Sequence, residues 1–359
     1  MSLKLGIIGG GNIFPAYMKT LRSCRRFRIV GLADANPDVA KQRAAEHGLS
    51  AMSLEQLLDS DAAIILNLTP PAAHHAMGRR VLDAGKHFYT EKPLSASYAE
   101  GEKLVAYAKQ KKLRIGCAPD TFLGQASQTA RQLIDEGAVG KILNGTGHFM
   151  GHGPDHWHPN PDFFYQRGAG PMLDVGVYYV THLVNHLGRV REVDALAHMT
   201  FKERVIPRGP QAGRIIKVNT PTHIVATLFF AAGARITLTT SFDVWKHGHN
   251  NVELYGENGS ILVNDPNMFG GKTRYSVQDG PWQNVDYGKP YRKGYFHRGL
   301  GLIDMTNALQ DGGDYRCNER LALHVLEVMD KSLESARTGT ALKLETRCER
   351  PAPLSERLY

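Results

Sequence analysis

The residues best placed for chemistry begin with a glycine run. Gly9, Gly10 and Gly11 are followed by Asn12 and Ile13, and the apolar stretch Leu5-Gly6-Ile7-Ile8 precedes them. An apolar strand ending in glycines and opening a helix is a phosphate-binding turn: Gly9 permits the tight turn and Gly11 lets the backbone approach a pyrophosphate. The helix N-terminus then offers free amides and a positive dipole. Asp34 lies 23 positions past Gly11, at the end of a second apolar run. An acid there binds both ribose hydroxyls and repels a 2′-phosphate, so the expected cofactor is NAD rather than NADP. One position departs from the pattern. Phe14 stands where a third glycine is usual, so its ring is expected to point away from the strand–helix contact.

Two further motifs follow strands. Asn67-Leu68-Thr69-Pro70-Pro71 ends one run, with His74 close behind, and Thr90-Glu91-Lys92-Pro93 ends another. Strand C-termini of open α/β sheets line the ligand crevice. A lysine there can bind a substrate hydroxyl and stabilise a developing alkoxide; the alternative is a surface lysine in a turn.

Asp174, Tyr178 and His182 are spaced by four, so on a helix they share one face, which Asn185 and His186 extend. A polar stripe amid Val175, Val177, Val180, Leu183 and Val184 is either a solvated face or one side of a cleft. The second reading puts Asp174, Tyr178 and His182 at a site. A phenol ordinarily ionises near pH 10, and neighbouring cations favour its ionised form, so a tyrosine beside a lysine suits acid–base work.

His148, His152, His156 and His158 fall within eleven residues, with Asp155 among them. Such density raises the question of a metal, but the segment is rich in turn formers and has no ligand spacing. No metal is expected. Either this is plain loop, or Trp157 and His158 form a substrate loop whose aromatic face stacks on sugar C–H bonds.

Several of these motifs together resemble the glucose–fructose oxidoreductase/inositol dehydrogenase (Gfo/Idh/MocA) family. The resemblance rests on Gly9-x-Gly11-Asn12, on Thr69-Pro70-Pro71-x-x-His74 and above all on Glu91-Lys92-Pro93. It continues through Gly170-Pro171-Met172-Leu173-Asp174-Val175-Gly176 and Leu254-Tyr255-Gly256-Glu257-Asn258-Gly259-Ser260, and so covers nearly the whole chain. It implies an N-terminal Rossmann domain, a C-terminal α/β domain with a large open sheet, NAD(P), and a catalytic lysine at Lys92, often with a cis Lys-Pro bond. Members usually carry histidine four residues after the motif aspartate. Here that position is Tyr178, as in the glucose–fructose oxidoreductase type.

The elements that must position these groups read well. Strand-like runs at residues 3–9, 27–33, 62–68, 87–89 and 113–117 alternate with helices, the signature of a doubly wound parallel sheet. Asn36-Pro37, Ser53 with Gln56, and Ser97 with Glu100 are helix starts, and Gly48 and Gly85 are stops. A helix is expected at 124–136. Beyond Gly188 the chain is mostly strand-like, with runs at 222–230, 234–242, 251–256 and 260–264 joined by hairpin turns, and an amphipathic helix covers 320–336. The expected architecture is α/β: a Rossmann domain over residues 1–120 and, over 121–359, an α+β substrate and oligomerisation domain with a large, mainly antiparallel sheet.

Composition bounds the rest. The 359 residues carry a net charge of +8, but Lys and Arg are spread along the chain, which argues against a nucleic-acid partner. No apolar run is long enough for a membrane span. No signal peptide is visible and the four cysteines are unpaired in sequence, so a cytoplasmic, reduced protein is expected. The combined expectation is an NAD(H)-dependent oxidoreductase acting on a sugar, cyclitol or related polyol. Lys92, Tyr178 and Asp174 are its catalytic set. Gly9, Gly11, Asn12, Ile13, Asp34, Thr69, Pro70, His74, Glu91 and Lys92 hold the cofactor, and Asp120, Trp157, His158 and His182 contact substrate. The family's open sheet implies a homodimer or homotetramer. The competing readings are a glycosidase that retains NAD through transient oxidation, and a non-catalytic NAD-binding regulator.

Overall fold

The structure is a computed structural model that describes residues 2–289 and 297–359. The first half alternates strand and helix: β1 (Leu3–Ile8), α1 (Phe14–Leu21), β2 (Phe27–Ala33), α2 (Pro37–His47), α3 (Leu54–Asp59), β3 (Ile64–Asn67), α4 (His74–Asp83), β4 (His87–Thr90), α5 (Tyr98–Gln110) and β5 (Ile115–Cys117). The five strands are parallel, in the order β2-β1-β3-β4-β5. Covered on both faces, β3 is buried along its length, which is why it reads as a continuous apolar run.

The helix boundaries follow local chemistry. The Asn36 side chain accepts from the Asp38 amide at 3.0 Å, Pro37 opens α2, and Gly48 closes it at φ +66°. Ser53 and Gln56 cap α3 reciprocally, and Ser97 caps α5.

After Cys117 the chain builds a second layer. It comprises α6 (Gln125–Asp135), β6 (Ile142–Met150), α7 (Val177–Leu187), β7 (Val190–His198), β8 (Glu203–Val205), β9 (Ile215–Lys217), β10 (His223–Phe230), β11 (Arg235–Ser241), β12 (Val252–Gly256), β13 (Gly259–Val263), β14 (Thr273–Val277) and β15 (Gln283–Val285). Then follow α8 (Leu300–Asp311), α9 (Glu319–Thr338) and β16 (Leu342–Lys343). Among the described residues, nine strands form one sheet in the order β15-β14-β13-β12-β6-β11-β10-β7-β16. All neighbours are antiparallel except β6 and β11. Strand β10 alternates strictly, burying Ile224, Ala226, Leu228 and Phe230 under the helices. At the sheet's centre β6 carries Gly145, where a Cβ would meet the Glu253 carbonyl oxygen at 2.5 Å.

The C-terminal elements return to the first sheet. Tyr315 donates to the Ile115 carbonyl at 2.7 Å, and Asn318 bridges Gly116. All four cysteines are buried and unpaired. Among the described residues no helix is long and apolar enough to cross a membrane.

Candidate active site

The ends of β1, β3 and β4 deliver three turns to one crevice. In the first, Gly9 has φ +100°, and a Cβ there would lie 2.9 Å from the Leu68 carbonyl group, so only glycine lets the β1 and β3 turns approach. A Cβ at Gly11 would have no atom within 4 Å, which leaves that face of the turn open. Helix α1 has no capping side chain at Ile13; its Phe14 amide donates to the Gly11 carbonyl at 3.2 Å and its Ala16 amide to the Ile13 carbonyl at 3.0 Å, while Pro15 has no N–H, so the amides open to an anionic ligand are those of the turn before the helix, at Asn12 and Ile13. Asp34 is held at the end of β2: one carboxylate oxygen accepts from the Gly10 amide at 2.7 Å and the other from the Asn36 amide at 2.8 Å. An open glycine turn at the start of α1 and a fixed carboxylate at the end of β2 fit a nicotinamide dinucleotide. Phe14, in the third glycine position, is fully buried, its ring edge-on to His47 at the end of α2, 5.2 Å away.

The β4 turn carries Glu91 and Lys92, and the Lys92–Pro93 bond is cis. Glu91 is buried, accepting from the Tyr17 hydroxyl of α1 at 2.7 Å and from the Lys92 amide at 3.0 Å. The Lys92 ammonium reaches across to the second domain. It donates to the Asp174 carboxylate at 2.8 Å and to the Asp174 carbonyl at 2.7 Å. Burial alone would depress this ammonium, but the Asp174 carboxylate outweighs it and holds the group above the ordinary lysine value. Lys92 is therefore a fixed cation with one N–H left for a ligand.

Asp174 sits in a π-helical turn, Met172–Gly176, that runs directly into α7. Such turns interrupt the regular α-helical phase and are frequent at functional sites. Tyr178, at the start of α7, lies with its ring centroid 5.3 Å from the Lys92 ammonium and 5.2 Å from the Arg298 guanidinium carbon. Its hydroxyl makes no hydrogen bond among the described residues. Arg298 is buried just before α8, donating to the Asn267 side chain at 2.8 Å, with two further nitrogens unpartnered. Burial would lower its pKa, but Tyr178, Glu91 and Asp120 raise it, so the guanidinium stays charged. Arg298 and Asn267 escape sequence reading, because neither belongs to a motif and each comes from an irregular connection.

These groups share a cavity of about 760 Å³. Ile13 and Thr69 line it from the first domain, with Glu91 and Lys92; Asp174, Tyr178, Asn267 and Arg298 line it from the second. The 151–158 segment adds His152, His156 and Trp157, and Trp245 enters from the β11–β12 connection.

Four expected contacts are corrected. His182 does not reach the cavity. It lies one helical turn beyond Tyr178, about 6 Å along the axis, buried against Phe122 and 3.3 Å from the Thr121 hydroxyl. Asp120 is fully buried too, accepting from the Gly299 and Gly301 amides at 2.8 and 3.2 Å, so it caps α8 and faces Arg298 instead of substrate. His74 is sealed between the Pro93 and Thr69 carbonyls at 2.6 and 2.8 Å, and burial depresses its pKa. It ties the β3 turn to the β4 turn and does not touch the crevice. His158 packs on Phe163 and Phe164 and lines a neighbouring surface groove. Pro70 and Asn12 are exposed at the crevice edge. Asp155 is engaged by Tyr165 and Arg204, not by its neighbouring histidines.

Comparison with known proteins agrees with this arrangement. Residues 3–118 match the oxidoreductase family model with an NAD-binding Rossmann fold, and residues 127–262 match the GFO/IDH/MocA C-terminal domain. Levoglucosan dehydrogenase of Pseudarthrobacter phenanthrenivorans is 25% identical over 301 residues, 73% of this chain and 74% of that protein. The NADP⁺-linked D-xylose 1-dehydrogenase of Hypocrea jecorina is 25% identical over 345 residues, 87% of this chain and 85% of that protein. Among solved structures, levoglucosan dehydrogenase with NADH and L-sorbose superposes with TM-score 0.81 at 22% identity, covering 96% of this chain and 100% of that one. Aldose–aldose oxidoreductase of Caulobacter crescentus with glycerol gives 0.78 at 21% identity, with 96% and 100% covered. Both structural matches speak to fold. With its Rossmann sheet, its open nine-stranded sheet and both family models in register, the chain belongs to the Gfo/Idh/MocA family of NAD(P)-dependent oxidoreductases.

Proposed function

We propose that this enzyme moves hydride between NAD(H) and a CH–OH or carbonyl group of a sugar, cyclitol or related polyol. The observation that carries the reading is the Lys92 ammonium, fixed by Asp174 and set 5.3 Å from the Tyr178 ring inside a cavity that begins at the dinucleotide turn. Sugar dehydrogenases among the relatives support the substrate class.

Gly9, Gly11, Asn12 and Ile13 cradle the pyrophosphate, Asp34 takes the adenosine ribose, and Thr69, Pro70 and Glu91 border the nicotinamide end. When bound, the nicotinamide accepts the hydride in oxidation and returns it in reduction. The chain's own residues handle the oxygen. Lys92 uses its remaining N–H to hold the substrate hydroxyl and to stabilise negative charge on it. Because Asp174 keeps Lys92 protonated, the lysine orients and polarises but does not take the proton. That role falls to Tyr178, whose oxygen makes no hydrogen bond among the described residues: as a phenolate it takes the proton in oxidation, and as a phenol it returns one in reduction. Lys92 and Arg298 flank its ring, so the negative charge its oxygen carries before it takes the proton in oxidation, and after it gives the proton up in reduction, meets two cations. The fixed Asp34 carboxylate supports NAD over NADP. The outward faces of β7 and its following turn leave Leu196, Met199 and Phe201 exposed, which supports self-association through the open sheet.

The test is a panel of aldoses and polyols with NAD, read at 340 nm alongside product analysis. The expected result is NADH accumulating in step with an oxidised sugar of unchanged carbon skeleton. Cleaved glycoside without NADH, or no turnover with retained NADH binding, would contradict the proposal.

A further inference from the structure

The cavity's charged groups are its buried ones. Lys92, Asp174, Tyr178 and Arg298 occupy its inner end, whereas the outer walls are aromatic. Two of the chain's three tryptophans stand there, and both are unusually open: Trp157 is 63% exposed and Trp245 79%. Rings of this size are rarely left in water without a partner.

The segments that carry these rings are tied together. The His152 imidazole stacks on Trp245 at 3.3 Å between centroids with 12° between planes. One buried guanidinium ties together the two segments that carry the tryptophans. Arg204 donates to Asp155 at 3.1 Å and to the His152 carbonyl on one segment. On the other it donates to Asp243 and the Phe242 carbonyl, each at 3.3 Å. The Val244 amide donates to the Gly151 carbonyl at 3.1 Å, and the Gly151 amide to the Ser241 carbonyl at 3.0 Å, which clamps the segments directly. Rigid aromatic faces prepared before a ligand arrives are the mark of a binding surface, since little ordering entropy remains to be lost.

Resting on the oxidoreductase reading above, we propose that Trp157, Trp245 and His152 form a second subsite for a ring attached to the reacting sugar. The substrate is then a glycoside with a cyclic aglycone or a second sugar, not a free monosaccharide. The reacting ring takes the polar inner end, where hydroxyls find partners. The attached ring stacks on the outer platform through its flat or C–H-rich face. Part of the cavity of about 760 Å³, at Ile13, Leu68 and Thr69, takes the nicotinamide; the rest runs from Lys92 to the tryptophans, so the reacting sugar and its attached ring share that remaining length.

The test uses the full enzyme loaded with NADH and isothermal titration with D-glucose, D-galactose and D-xylose. Each sugar is supplied free, as its methyl β-glycoside and as its phenyl β-glycoside; cellobiose serves as the two-sugar probe. For at least one sugar the phenyl glycoside, or cellobiose against methyl glucoside, binds at least about tenfold tighter, equivalent to ~1.4 kcal/mol. In Trp245→Leu and Trp157→Leu that ratio falls below about threefold. Tighter binding of the phenyl form alone assigns the subsite to an aryl aglycone; tighter binding of cellobiose alone assigns it to a second sugar. Equal affinity for methyl and ring-bearing forms, or an advantage that survives both substitutions, overturns the inference. If free or methyl sugars reduce NAD normally in that case, the oxidoreductase reading stands. If none of the probes binds or reduces NAD, both fall.

Discussion

Replacing Asp34 with serine is predicted to abolish the preference for NAD over NADP. The carboxylate is pinned by the Gly10 and Asn36 amides at 2.7 and 2.8 Å, so it cannot swing away from an added phosphate. The next two residues, Ala35 and Asn36, supply no cation. The neighbouring Arg43 is engaged by the Gly10 carbonyl at 3.2 Å and by Glu46 at 2.8 Å. A 2′-phosphate brings a charge of about −1.5 to −2. At ~4 Å each unit pair repels by about 1 kcal/mol in water and about 4 kcal/mol at an effective dielectric of 20. Taking the lower bound for a half-buried group, two units give about 2 kcal/mol, a preference of at least ~30-fold for NADH. Serine removes the repulsion together with a charged acceptor for the ribose, so NADH binding weakens by about 1.5–3 kcal/mol. The ratio of NADPH to NADH dissociation constants should therefore collapse to within about threefold. Titration followed by nicotinamide fluorescence measures both constants. A wild-type enzyme that binds NADPH as well as NADH, or a ratio unchanged in Asp34→Ser, would refute the reasoning.

Acid should destabilise the fold well above the carboxylate range. Burial is the leading cause that depresses His182, His186 and His324, the last two to about 3 and about 4. Each is neutral when folded and titrates near 6.5 when unfolded, so its stability contribution is complete above that pH and is lost as pH falls toward the folded value. Between pH 7.5 and 5.5 each histidine removes about 1.4 kcal/mol, or about 4 kcal/mol for the three. Calorimetric Tm should drop steadily across that window, and a flat or rising Tm would count against the burial assignment. Asp120→Ala should be strongly destabilising, because it strips the Gly299 and Gly301 amides of their acceptor and takes away the carboxylate that sits 4.0 Å from the buried Arg298 guanidinium. A loss of about 3–5 kcal/mol is expected from urea unfolding; a loss below about 1 kcal/mol would show that the cap is not needed.

What the sequence reveals is what local chemistry determines. The glycine turn, Asp34, the Asn36 and Ser53 caps and the Glu91-Lys92-Pro93 turn are all legible, because each is specified by neighbours within a few residues. The depth of a side chain is not. Spacing by four places His182 on the face of Tyr178 but not one turn past the cavity, and a strand-end position does not reveal that Asp120 is claimed by the Gly299 and Gly301 amides. His74 follows a cofactor-type motif yet serves as a tie between two turns. Residues 142–150, with Gly145 and Gly147, carry no strand signal. They form the central strand between β12 and β11, and at Gly145 the Glu253 carbonyl and the Ile236 side chain leave no room for a Cβ. Arg298, Asn267 and Trp245 reach the site from irregular connections far along the chain, which only the assembled fold brings together.

The central claim is that Lys92 and Tyr178 handle the substrate oxygen while the cofactor carries the hydride. Its most direct test is the single-turnover rate of NADH formation at saturating NAD, for wild type, Lys92→Met and Tyr178→Phe, with a sugar identified by the panel. Both substitutions should slow this rate by at least ~100-fold, the loss typical of removing one preorganised transition-state partner, while the NADH dissociation constant stays within about twofold. Wild-type single-turnover rates in either variant would contradict the account.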